Sequence, residues 1–166
     1  PKRGCKEALR RVEQLLKEDK VWVVDADIKG YFDTIPHGPL LKRVGGKIAD
    51  GRVLRLIEAY LKAGVMESVK SWQPTERGTP QGAVISPLLA NIYLDPLDWE
   101  MARAGLEMVR YADDYVVLCH SREQALQALE KIQEFANANG LTLHPEKTQI
   151  VDASQPGGFD FLGYHF

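Results

Sequence analysis

Cysteine, basic excess and long apolar runs are what this chain has least of. Its 166 residues include two cysteines, Cys5 and Cys119, with neither metal-ligand spacing nor a partner motif. They read as reduced thiols of an intracellular protein, and a cytoplasmic location is expected. No segment approaches the roughly 18 apolar residues of a membrane span, and the start has no signal-peptide apolar region. A membrane role is therefore not expected. The net charge is -2. Nucleic-acid binders usually carry a basic excess, so the charge counts against polymer binding unless the basic surface is local or lies on parts not present. There is no low-complexity tract, internal repeat or linker. With 45% hydrophobic and 27% charged residues, the composition suits one globular domain with its own core.

Periodicity supplies the rest of the outline. Cys5, Ala8, Leu9, Val12, Leu15 and Leu16 form one helical stripe over 5–17. "VWVVDAD" is strand-like in its valines, and "IKGYFDTIPHGP" reads as turn and loop from its glycines and prolines. A short helix is expected over Leu40 to Ile48. A better one follows Asp50 as cap, with Val53, Leu54, Ile57, Tyr60 and Leu61 inward and Gly64 ending it. A hairpin or irregular strand pair is expected over 65–82. Ser86-Pro87 opens a helix with a hydroxyl cap, and Pro96 predicts a kink or break in it. "LEMVRYA" and "YVVLC" predict a hairpin with Asp113-Asp114 at its tip. Ser121 with Gln124 predicts a capping box, followed by a helix facing inward through Leu126, Leu129, Ile132 and Ala136 and ending at Gly140. "TQIVDA" and "FDFLGYHF" close the chain as strands. The fold class this predicts is α+β, an antiparallel sheet covered by helices on one face.

Adjacent like charges need a reason. If the hairpin at Asp113-Asp114 lies beside "VWVVDAD", where alternation sets Asp25 and Asp27 on one face, three carboxylates converge and repel. Two hard divalent cations remove that conflict, since Mg²⁺ prefers carboxylate oxygen and keeps water and substrate phosphate as further ligands. Two such ions about 3.5–4 Å apart stabilise the attacking and leaving oxygens of an in-line phosphoryl displacement. By itself, an Asp-Asp pair at a turn is as well explained by solvation and turn preference.

Read together, "VVDADIKGYFDTIPH", "RGTPQGAVISPLLANIYLDPLD", "MVRYADDYVVLC", "NGLTLHPEKTQIV" and "FDFLGYHF" resemble the palm motifs of reverse transcriptases. They are most similar to those of bacterial group II intron-encoded proteins, from about Arg3 to Phe166. The resemblance implies a ferredoxin-like polymerase palm over 1–166 and an RNA-directed DNA polymerase acting by two-metal phosphoryl transfer. It implies two Mg²⁺, with Mn²⁺ as a substitute. Asp27 and Asp113 would ligate both ions and Asp114 would support one; the choice of Asp27 over Asp25 rests on the "DIKG" match. Phe32 falls where the family keeps a bulky side chain under the sugar, so its ring would repel a 2′-hydroxyl. A core phenylalanine is the plainer alternative. The backbone amides of Tyr31 and Phe32 would meet the triphosphate, with Gly30 giving the chain freedom to turn. Gln81 and Gly82 would lie near sugar and template, or simply make a turn. Ala83 stands where many relatives have a second glycine. Lys147 matches a basic position that would donate a proton to leaving pyrophosphate; an exposed lysine is the alternative. Phe161, Leu162, Gly163 and Tyr164 resemble the primer grip, or are sheet core. Lys29 and Asp33 belong to the signature but stay outside the metal set.

The same resemblance implies an RNA template, a DNA primer and dNTPs as partners, and intron RNA in a full-length protein. It also implies that most of the fingers, and the thumb, are absent here. Those parts would carry the basic surface, which reconciles the -2 charge with nucleic-acid binding. Two other readings stand beside this one. The chain is a metal-binding palm fragment that is inactive without fingers and thumb, or it is a retron-like or CRISPR-associated reverse transcriptase.

Overall fold

A computed structural model describes residues 4–63, 76–79 and 83–166. Helix α1 (Cys5–Lys17) has the predicted bounds, and its stripe packs as expected, with Val12 and Leu15 fully buried. Each such side chain contributes about 2 kcal/mol by leaving water. Strand β1 (Trp22–Asp25) follows. The stretch expected as loop then contains a short helix, α2 (Tyr31–Thr34), entered through Gly30 at φ 55°. Helix α3 (His37–Gly45) begins before the predicted Leu40. Helix α4 (Gly51–Lys62) is capped as predicted, the Asp50 side chain accepting from the Arg52 amide at 2.7 Å. Within α4 Ile57 and Leu61 are buried, whereas Val53 is exposed. Gly64 and most of the 65–82 hairpin lie outside the described residues; within that stretch, Arg77 forms an isolated bridge with Pro36.

Helix α5 (Ser86–Arg103) runs unbroken through Pro96. A proline inside a helix denies an N–H to an earlier carbonyl and crowds the preceding turn. The carbonyl so deprived is that of Ile92; the helix continues because Tyr93, Leu94 and Leu97 around it are buried in the core, where the Arg43 guanidinium lies 4.2 Å over the Tyr93 ring. The predicted Ser86 cap is not the cap; Ile85 holds that position, and the Ser86 hydroxyl lies 3.5 Å from Tyr60 Oη. Strands β2 (Glu107–Tyr111) and β3 (Asp114–Cys119) form the predicted hairpin.

In α6 (Arg122–Ala138), Ser121 Oγ accepts from the Gln124 amide. The return arm of the expected box differs, because Gln124 Oε1 accepts from His120 N. The buried stripe is Ala125, Ala128, Ile132, Phe135 and Ala136, and the expected Leu126 is exposed. Alanines face the sheet because α6 packs closely on β1 and β3; leucine at those positions would hold the helix off. Strand β4 (Gln149–Asp152) completes the sheet, and β5 (Asp160–Phe161) with β6 (Tyr164–His165) makes a small separate hairpin.

The four-stranded sheet has the order β2-β3-β1-β4 with every pair antiparallel. Helices separate β1 from β2, and α6 separates β3 from β4. That is the ferredoxin-like β-α-β-β-α-β arrangement. Side-chain alternation divides the sheet into two cores. Val24, Tyr115, Val117 and Cys119 meet α3 to α6 on one face, the helix layer predicted. Val23, Val116 and Leu118 face the other way, toward Val12 and Leu15 of α1 and Phe159 and Phe161 beside the small hairpin. The second face is therefore also covered, which is why β3 is buried on both sides.

Cys119 has no solvent exposure, and burial pushes its thiol up to about 11. Since the thiolate is the nucleophile, one equivalent of iodoacetamide is expected to label Cys5 in the native chain at pH 8. Cys119 should label after denaturation. Two rapid labels on the folded chain, read by intact mass, would contradict this packing. No helix among the described residues is long and apolar enough to cross a membrane.

Candidate active site

β1 lies between β3 and β4, with Asp25 opposite Val116 on one side and Gln149 on the other. Asp25 and Val23 share the face of the second core, and Asp27 continues that alternation just past the strand. The backbone there is held by long-range bonds. His144 N donates to Asp27 O at 2.7 Å, and Lys29 N donates to Thr142 O at 2.8 Å. Asp114 opens β3 opposite Tyr111, so only Ala112 and Asp113 form the turn. Ala112 sits at φ 59°, a left-handed conformation that strains any residue with a Cβ. Asp114 thus shares the face of Val116 and Asp25, while Asp113 lies in the tip.

The carboxylates sense one another. Burial, opposed by a hydrogen bond from Leu162 N, and the charges of Asp113 and Asp27 hold Asp114 above the usual carboxylate range. That amide donates to Asp114 Oδ2 at 3.2 Å. Asp25 is raised as well, first by burial, then by Asp114, Asp27 and Asp160, against a bond from Gln149 Nε2 at 3.3 Å. Lys147 Nζ stands 3.1 Å from Asp27 Oδ2, with both side chains well exposed. Among the described residues no three His, Cys, Asp or Glu side chains stand together in metal-holding geometry. The chemistry of the donor set nonetheless suits a hard divalent cation: the groups are carboxylate oxygens, accessible to solvent and mutually repelled.

The remaining predicted residues sort by burial. Tyr31 is 2% exposed, and its hydroxyl donates to Ala90 O at 2.6 Å. Burial pushes that phenol up from its ordinary value, and its ring belongs to the core. The Phe32 ring is half-buried and meets Tyr31 edge-on, with centroids 5.7 Å apart. Gln81 and Gly82 lie outside the described residues. The stretch just before them is tied to α2: Thr79 N donates to Phe32 O at 2.7 Å, Gly78 N to Ile35 O at 2.8 Å, and His37 Nε2 to Gly78 O at 2.7 Å. Gly78 has φ +88°, and a Cβ there would come within 3.0 Å of the Asp33 carbonyl oxygen. Gly78→Ala is expected to cost about 2 kcal/mol, lowering the melting temperature by roughly 4–8 °C. An unchanged melting curve would sink that reading.

In "FLGY", Phe161 is 1% exposed, whereas Tyr164 is 58% exposed. Leu162 and Gly163 turn the hairpin at φ 51° and 73°. The residues that motif reading missed are Gln149, which holds Asp25, and Leu162 as a backbone donor to Asp114. Only the pairing of distant strands reveals them.

A sheet of this order with acids at the β1 end and the β2–β3 turn is a polymerase palm. In fold, it matches the structure of telomerase from Candida tropicalis in complex with the TWJ fragment of telomeric RNA. The TM-score is 0.73 at 14% identity, covering 98% of this chain and 32% of that one, and at such identity the likeness concerns fold alone. The family model described as reverse transcriptase (RNA-dependent DNA polymerase) matches residues 1–166. The chain belongs to that family, whose members work with divalent metal ions. It is 35% identical over 154 residues to the group II intron-encoded protein LtrA of Lactococcus lactis subsp. cremoris. That match covers 89% of this chain and 25% of LtrA. Protein YkfC of Escherichia coli (strain K12) is 29% identical, with 99% of this chain and 52% of YkfC covered. The chain thus spans about a quarter of the length of LtrA and about half that of YkfC.

Proposed function

We propose that this chain is the palm of an RNA-directed DNA polymerase of the group II intron type. The observation that supports the reading is the pairing of β1 with β3, which sets Asp25 and Asp114 on one sheet face with Asp27 just beyond β1 and Asp113 in the adjoining turn. In the reaction, a primer 3′-hydroxyl attacks the α-phosphorus of a deoxynucleotide, and pyrophosphate leaves. Two Mg²⁺ held by Asp27, Asp113 and Asp114 would supply charge stabilisation of the attacking and leaving oxygens.

The chain's own groups do the positioning. Asp114 is fixed in the β2–β3 ladder, Asp113 occupies the two-residue turn beside it, and Asp27 lies just past β1 where its carbonyl accepts from His144 N. Lys147 would hold a proton for the departing pyrophosphate, a role that its position 3.1 Å from Asp27 supports. Phe32, set by its edge-on contact with Tyr31, is the steric gate against a 2′-hydroxyl. The amides at the start of α2 approach the triphosphate, and Gln81 with Gly82 meet sugar and template. The primer end rests on the Leu162-Gly163 turn and Tyr164, with Phe161 anchoring that turn in the core. The RNA partner in a full-length protein would be intron RNA, in keeping with LtrA's being group II intron-encoded.

A second reading is favoured by length. Covering a quarter of LtrA, the chain binds cations but needs further segments to grip primer and template. Extension of a DNA primer on an RNA template with Mg²⁺ and dNTPs separates the two. Extension supports the first reading. Aspartate-dependent Mn²⁺ binding without extension supports the second, and neither result would overturn both.

A further inference from the structure

Arg110, immediately before the Tyr-Ala-Asp-Asp box, donates to four oxygens on three residues. Nε donates to Asp98 Oδ1 at 2.7 Å, and Nη2 pairs with Asp98 Oδ2. Nη1 donates to Asn91 Oδ1 at 2.7 Å and to the Ala112 carbonyl at 2.7 Å. The Arg110 side chain is 11% exposed. Asn91 and Asp98 are seven residues apart in α5, two turns along one stripe. Pro96 lies between them, so the unbroken course of α5 is what lets both anchors serve one side chain.

We infer that Arg110 is a positioning residue for the catalytic turn, clamping the Ala112 carbonyl to α5 and so fixing where Asp113 and Asp114 point. The turn needs such a clamp. Ala112 is held at φ 59°, a conformation an alanine leaves unless its surroundings over-determine it. A free two-residue tip would relax, and its Asp113, whose charge repels that of Asp114 at the start of β3, would move away from it. The planar fork is essential, because four donations leave in fixed directions. Lysine matches the charge and cannot reproduce the geometry. Arg110 touches neither acid; it acts through the backbone between them and itself. The catalytic consequence rests on reading Asp113 and Asp114 as the metal-holding pair, but the clamp itself does not.

The test uses the full chain and its Arg110→Lys, Asn91→Leu and Asp98→Asn forms. Backbone amide spectra should show the Ala112, Asp113 and Asp114 signals shifted or broadened in Arg110→Lys while signals of β1, β4 and α6 stay in place. Mn²⁺ affinity, read by electron paramagnetic resonance, should fall about tenfold in Arg110→Lys and less in Asn91→Leu, which removes one anchor. If the chain extends primers, kcat should fall at least tenfold with nucleotide KM nearly unchanged. Unmoved 112–114 signals in Arg110→Lys would overturn the inference, as would signal changes spread evenly over α5 and the sheet, which mark a merely structural pair. Should Arg110→Lys fail to fold, Asn91→Leu and Asp98→Asn carry the same comparison. A parent chain that binds no Mn²⁺ would count against the metal reading and leave the amide comparison to decide the clamp.

Discussion

Asp113→Ala and Asp27→Ala are each expected to lower primer extension by about 10²–10³-fold, with the melting temperature little changed. Each removes an oxygen ligand from the place where transition-state charge develops, and single losses of that kind of stabilisation cost about 10²–10³ in rate. Stability should change little, because both side chains are accessible to solvent and the exposed Lys147 pair that Asp27→Ala removes contributes little. Asp114 is held above the usual carboxylate range by burial and like charges. A folded-state value above the unfolded one stabilises the fold below the unfolded value, and that contribution is lost as pH rises. At neutral pH and without cations, Asp114→Asn should therefore melt higher than the parent. The informative control is Asp25→Asn. Asp25 lies inside the β1 ladder and takes a bond from Gln149, so its loss should keep extension within about tenfold of the parent. Equal losses for Asp25→Asn and Asp27→Ala would refute the assignment of Asp27.

Phe32→Ala should relax sugar discrimination by about 10²-fold. The ring excludes by collision, and reshaping a pocket of that size typically changes selectivity by about 10–200-fold. The T-shaped contact with Tyr31, at 66° between planes, fixes the ring's direction. Tyr31 itself is an unsuitable gate, since its ring is buried and its hydroxyl is committed to Ala90. The measurement is kcat/KM for a ribonucleotide against its deoxy counterpart. A ratio that stays at the parental value, with the melting temperature lowered, would make Phe32 a core residue instead. That outcome is open because Phe32 also packs against the main core.

Local patterns were legible wherever one element decided its own structure. The stripe of α1, the Asp50 and Ser121 caps and the β2–β3 hairpin were all read from neighbouring residues. Reading failed where a distant partner overrode local preference. Pro96 does not break α5, whose Tyr93, Leu94, Leu97 and Met101 on either side of it are buried in the main core. Leu126 is exposed while Ala125 and Ala128 are buried, because the closeness of α6 to the sheet selects small side chains. The same applies to Gln149, Leu162 and Arg110, whose partners belong to other strands or helices.

What the sequence by itself determined is the chemistry available: which acids there are, the order of motifs that marks the reverse transcriptase family, and the propensities that form each element. Alternation put Asp25 and Asp27 on one face but could not rank them, since a period of two treats both alike. Tertiary structure gave the two different surroundings, the β3 and β4 ladders beside Asp25 and the Lys147 contact at Asp27. It also decided that Phe161 is core while Tyr164 is surface, and that α1 covers the second face. The reason is physical. Burial and electrostatic coupling depend on which distant segments share space, and strand pairing across more than a hundred residues is not written in any one of them.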